Sequence, residues 1–124
     1  MKRGVLLFAH GARDPLWAAP FEAVAERLRA ARPEAAVHLA YLEFMTPDIA
    51  AAAAALAADG CAQVEVVPLF LGTGGHVRRD LPALLDTLRQ HHAGVAFTLH
   101  PPVGEIASVI DAMAAAAARS LDPR

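Results

Sequence analysis

The sequence has a single cysteine, Cys61, so it closes no internal disulfide, and it has no Cys-x-x-Cys pair for zinc or an iron–sulfur cluster. Neither charge sign is in excess. Eleven basic and 13 acidic residues give a formal charge of -2 and a pI near 6.3, which removes the case for nucleic acid or an anionic membrane as the main partner. Long apolar runs are scarce as well. The alanine-rich run at 50–58 stops at Asp59-Gly60, too short to span a bilayer. The opening run Val5-Leu6-Leu7-Phe8-Ala9 is shorter than the roughly 7–15 apolar residues of a secretion signal, and it ends at His10. These shortages predict a soluble, cytoplasmic protein. Nucleotide signatures are missing too: Gly72-Thr73-Gly74-Gly75 lacks the Gly-Lys-Ser/Thr ending of a P-loop, and Val77 breaks the dinucleotide pattern. Without Gly-x-Ser-x-Gly, a serine hydrolase has no support either.

What remains is an apolar chain of 124 residues, 56% hydrophobic, which predicts one domain over 1–124 with its own core. Short β-branched or apolar runs at Val5–Ala9, Val37–Leu42, Gln63–Leu71 and Val95–Leu99 read as buried strands. Between them lie helical signals. Asp14-Pro15 offers a cap and a first-turn proline, followed by Trp17, Phe21, Val24 and Leu28 at helical spacing. Thr46-Pro47-Asp48 repeats the signal before an alanine-rich helix that ends at Asp59-Gly60. Leu81, Leu84, Leu85 and Leu88 form a third stripe, and Pro82 predicts a helix start near itself rather than at His76. Ile106, Val109, Ile110 and Met113 mark a fourth helix. The alternation predicts an α/β fold, a four-stranded parallel sheet with helices on both faces. Strand order 2-1-3-4 is expected because it sets a switch point between the first and third strands, which end in His10 and His76. Pro68, which has no amide donor, should mark the end of regular pairing in the third strand.

In such a sheet, ligands bind at the carboxyl edge of the strands. Just past the four strands stand His10, Glu43, His76 and His100. Imidazole and carboxylate together suit a divalent first-row metal with coordination positions left open, although each histidine could equally cap a strand or helix in solvent. Arg13, Arg78 and Arg79 flank His10 and His76 and would favour a ligand rich in carboxylates or phosphates, the bland reading being a solvated helix start. Gly74 and Gly75 let a ligand approach the main chain. His38 reads as a half-buried strand residue, His91-His92 as solvated groups at a helix end, Asp14 as a cap and Cys61 as a small apolar residue.

Leu6-Leu7-Phe8-Ala9-His10-Gly11-Ala12-Arg13-Asp14-Pro15, then Leu42-Glu43, Pro47-Asp48-Ile49, Pro68-Leu69-Phe70-Leu71, Gly74-Gly75-His76-Val77, Asp80-Leu81-Pro82 and Pro101-Pro102-Val103-Gly104 together resemble the short CbiX class of sirohydrochlorin chelatases. The blocks fall in the family's order over nearly the whole chain. The resemblance implies a chelatase-like, flavodoxin-type half-domain that inserts a divalent metal into a tetrapyrrole without a nucleotide. Cobalt is the first choice, ahead of ferrous iron and nickel. It implies His10 and His76 as the catalytic histidines, His10, Glu43 and His76 as metal ligands, and Arg13, Gly74, Gly75, Arg78 and Arg79 as the substrate rim. Longer relatives hold two such domains, so a homodimer is implied. Ala12 stands where the family usually has serine, and Arg79 where it often has an acid. Two other readings stay open: a non-catalytic metal or tetrapyrrole carrier, and phosphoryl transfer at His10. His10-Gly11-Ala12-Arg13 is similar to the histidine phosphatases, although Ala9 stands where those enzymes usually have arginine.

Overall fold

The computed structural model describes residues 2–123 except Thr73 and the side chain of His76. Four strands, β1 (Lys2–Ala9), β2 (Ala36–Tyr41), β3 (Cys61–Pro68) and β4 (Ala96–Leu99), form one parallel sheet in the order β2-β1-β3-β4. Helix α1 (Ala19–Ala31) covers one face, and α2 (Ile49–Ala58) and α3 (Gly75–His91) cover the other. A fourth helix, α4 (Ala107–Ala118), follows β4. The expected class and strand order are therefore observed. β1 is central and apolar on both sides: Leu6 and Phe8 enter the larger core under α2 and α3, while Leu7 meets Ala25 and Val37 under α1. Regular pairing of β3 ends at Pro68, opposite Phe8.

The caps work as the sequence suggests. Asp14 Oδ1 accepts from the Leu16 N–H at 2.9 Å, opening a 3-10 turn at Pro15–Ala18 that leads into α1. Asp48 Oδ1 accepts from the Ala51 N–H at 2.8 Å at the start of α2. Cys61 is 3% exposed, and burial pushes its thiol pKa up, the nearby Lys2 charge opposing and the Asp59 charge adding. A thiol held protonated and enclosed is a poor nucleophile. The native protein should therefore show no reaction with a thiol-specific disulfide reagent at pH 8, and one equivalent should react after denaturation.

Three expectations need correction. α3 begins at Gly75, well before Pro82, which is its eighth residue. The proline forfeits one helical hydrogen bond at a cost of about 3 kcal/mol. Leu81, Leu85 and Leu88 are each at most 5% exposed, and burying each contributes about 1.5–3 kcal/mol, so the stripe carries the helix through the proline. Val24 is 41% exposed, and Ala25 is the residue that α1 buries. Trp17, Phe21 and Leu28 pack against the core as the helical period predicts, and only Val24 falls outside it. Finally, α4 does not cover the sheet: it has no buried residue.

Candidate active site

Parallel strands put every strand's carboxyl end on one edge. There the loops after β1 and β2 continue the ladder by backbone: the Leu42 N–H donates to the Ala9 carbonyl at 2.9 Å and the Glu43 N–H to the His10 carbonyl at 3.1 Å. This holds two chemically active side chains side by side. His10 Nε2 lies 3.1 Å from Glu43 Oε1, and both side chains are about half exposed. An ionised carboxylate only accepts, so the contact assigns the proton to Nε2 and leaves Nδ1 of the neutral ring as the lone pair. Gly11 makes the approach possible. Its φ is +92°, and a Cβ built there would stand 1.9 Å from the Glu43 carbonyl oxygen.

The surroundings are apolar and cationic. The Phe70 ring meets the His10 ring edge-on, with centroids 6.0 Å apart. Phe44, beside Glu43, has φ of +65° and is 57% exposed, so a bulky ring is held in the left-handed region on the surface. The Arg13 guanidinium carbon lies 4.9 Å from its centroid. Leu71, on the loop after β3, is 68% exposed. His10, Leu42 and Glu43 open onto a cavity of about 380 Å³ whose other wall is Val77, Asp80, Leu81 and Leu84 of α3. That wall exists because α3 starts at Gly75: a helix starting at Pro82 would not have placed Val77 and Asp80 on it.

Of the residues singled out in the sequence, His10 and Glu43 come together, and Arg13 lies over Phe44, the neighbour of Glu43. His76 is the second residue of α3, and its side chain lies outside the described residues. Gly74 caps α3 and Gly75 opens it. Arg78 reaches Glu105 at 3.7 Å, and the Arg79 Nε–H donates to the Gly75 carbonyl at 3.2 Å. His100 stands apart from the pair, its Nε2 2.9 Å from Glu65 Oε1 of β3. His38 is half-buried in β2, 3.7 Å from Asp59. Among the described residues no three His, Cys, Asp or Glu side chains converge as a metal-binding group. The sequence reading missed Phe44, Phe70 and Asp80. Asp80 falls three residues after Val77, one helical turn, and would have shown itself had the helix been extended back to Gly75.

The family model described as CbiX matches residues 4–120. A sirohydrochlorin cobaltochelatase of Saccharolobus solfataricus is 36% identical over 107 residues, 82% of each chain. The crystal structure of a CbiX protein from Marinobacter aquaeolei superimposes with a TM-score of 0.84 at 33% identity, covering 96% of this chain and 97% of that one. SirB from Bacillus subtilis, solved with Fe3+, gives a TM-score of 0.83 at 24% identity, a likeness of fold; this chain spans 49% of its length.

Proposed function

The chain belongs to the CbiX family, and from that premise we propose that it inserts a divalent metal, cobalt before ferrous iron or nickel, into sirohydrochlorin or a closely related tetrapyrrole, without a nucleotide. The observation that carries this reading is the His10–Glu43 pair on the strand edge, 3.1 Å apart beside an open cavity. Two donors each about 2.1 Å from one first-row ion, at an angle of about 95°, are themselves about 3.1 Å apart. The pair is thus spaced to hold a cation on adjacent positions in the other neutral tautomer of His10, with the proton on Nδ1 and the Nε2 lone pair turned to the metal. The positions left over are open to solvent and to a macrocycle nitrogen.

The rest of the edge suits the ring. Sirohydrochlorin is a flat apolar macrocycle fringed with carboxylates. Phe44 and Leu71 offer exposed apolar surface, and Arg13, Arg78 and Arg79 offer cations near the periphery, with Gly74 and Gly75 keeping the loop close. Insertion strips water from the metal, removes pyrrole protons and bends the ring. Contacts to the fringe carboxylates can offset the bending, since remote binding energy is available for distortion at the reacting centre. In this reading His10 and His76 share metal delivery and proton acceptance, and Glu43 completes the ligand set. The resemblance pairs two such domains in longer relatives, so two copies of this chain form the working unit.

Glu43→Gln keeps the shape and removes the charge. It should weaken cobalt binding about 10- to 100-fold in anaerobic calorimetry, a loss of about 1.4–2.8 kcal/mol, with no change in melting temperature beyond a few degrees. Turnover tests the function itself: many metallated rings per chain are expected. Stoichiometric binding of cobalt or ring, with insertion no faster than background, contradicts it in favour of a carrier.

A further inference from the structure

Phe44 is out of place twice. Of the seven Phe, Trp and Tyr side chains, the other six are buried or half-buried, whereas Phe44 is 57% exposed. It is also the one non-glycine residue with positive φ among the described residues, at +65°. The Met45 N–H donates to the Glu43 carbonyl at 2.8 Å across it, closing a three-residue γ-turn of the rare, strained hand. Glycine would make this turn with less strain. A ring left mostly in solvent gains little from its own fold to offset that strain. A strained, bulky, exposed residue beside Glu43 points to a task outside folding.

The loop that carries it is pinned. At its base the Tyr41 N–H donates to the Pro47 carbonyl at 2.9 Å, and the Glu43 N–H donates to the His10 carbonyl at 3.1 Å. These bonds hold Phe44 directly beside the His10–Glu43 pair. From the neighbouring loop, three residues after His10, Arg13 sets its guanidinium carbon 4.9 Å from the Phe44 centroid. The two loops that bring an imidazole to a carboxylate therefore also bring a cation to a flat apolar face. A guanidinium seated on an aromatic ring keeps its N–H edge available to a carboxylate, and its planar fork is already ordered.

We propose that Phe44 is the stacking platform for one pyrrole of the tetrapyrrole, and that Arg13, seated on Phe44, takes a carboxylate at the edge of that same pyrrole. This rests on the tetrapyrrole reading above and deepens it, because it names the residue that sets where the ring lies. A pyrrole fixed on the neighbour of Glu43 keeps the central nitrogens within one macrocycle radius of the His10–Glu43 pair. The two side chains together read a flat face and an edge charge. An extended apolar chain lacks the charge, and a lone anion lacks the face.

The test is the dissociation constant of metal-free sirohydrochlorin, titrated anaerobically and followed by its visible absorption. Phe44→Gly relieves the turn and removes the platform. It should weaken ring binding at least about fivefold, with the melting temperature within about 5 °C of the parent or above it. Phe44→Trp, which keeps an aromatic face, should bind within about threefold of the parent. Arg13→Gln should cost affinity in the parent and markedly less beside Phe44→Gly, because Phe44 seats it. In the insertion assay, Phe44→Gly should raise KM for the ring and leave KM for cobalt unchanged. A smaller loss of ring affinity in Phe44→Gly overturns the platform even where the parent binds and metallates the ring. A larger fall in melting temperature overturns it too, since Phe44 is then a folding residue. An Arg13→Gln cost that is the same in both backgrounds overturns the shared pyrrole. A parent that binds no ring removes the tetrapyrrole reading itself.

Discussion

His10→Ala is expected to lower protein-accelerated cobalt insertion by at least about 100-fold, the scale typical of losing one positioned proton-transfer group. The substitution removes both a metal donor and a proton acceptor, and it leaves Glu43 without its 3.1 Å partner. It should cost little stability. The side chain is 49% exposed and meets the edge of the Phe70 ring, so the melting temperature should move by no more than a few degrees. Initial rates from the visible spectrum of the ring, beside a denaturation curve, separate the two effects. A rate within twofold of the parent contradicts the assignment of His10.

Gly11→Ala should have the second large effect, through geometry alone. Alanine at φ of +92° costs about 1–2 kcal/mol. A Cβ at 1.9 Å from the Glu43 carbonyl oxygen cannot be accommodated at all, so the loops after β1 and β2 must separate and break the Glu43 N–H to His10 carbonyl bond. A total loss of about 3 kcal/mol or more is expected, a fall in melting temperature on the order of 10 °C. Insertion should collapse with it, because the same movement pulls His10 from Glu43. Gly60→Ala is the control. Its φ of +87° is similar, but nothing lies within 4 Å of the added carbon, so only the backbone strain of about 1 kcal/mol applies. Equal losses at the two positions would show that the contact with Glu43 does not matter.

Much of the fold was legible because its signals are local. Asp14-Pro15 and Asp48 mark helix starts through hydrogen bonds to residues a few positions away, and the strands show as short apolar runs, whereas their order follows only from placing a switch point between β1 and β3. His10 and Glu43 were legible as residues just past strand ends. What the sequence could not show is nonlocal. The start of α3 at Gly75 depends on Leu81, Leu85 and Leu88 finding a core, a tertiary gain that outweighs the local penalty of Pro82. The cavity wall of Val77 and Asp80 follows from that start. Phe44 entered the site through a left-handed backbone that no composition rule predicts for a bulky residue. The stripe on α4 was legible as a helix but not its lack of buried residues, since periodicity reports that a face is apolar and not what covers it.

The most direct measurement of the central claim is the anaerobic initial rate of cobalt insertion into sirohydrochlorin, followed by visible absorption, as a function of protein concentration well below that of the ring. The spontaneous rate is recorded without protein. A rate above background that rises linearly with protein and returns to background in His10→Ala is the predicted result. A flat line at the spontaneous rate, with ring and metal both bound by the protein, contradicts the chelatase account.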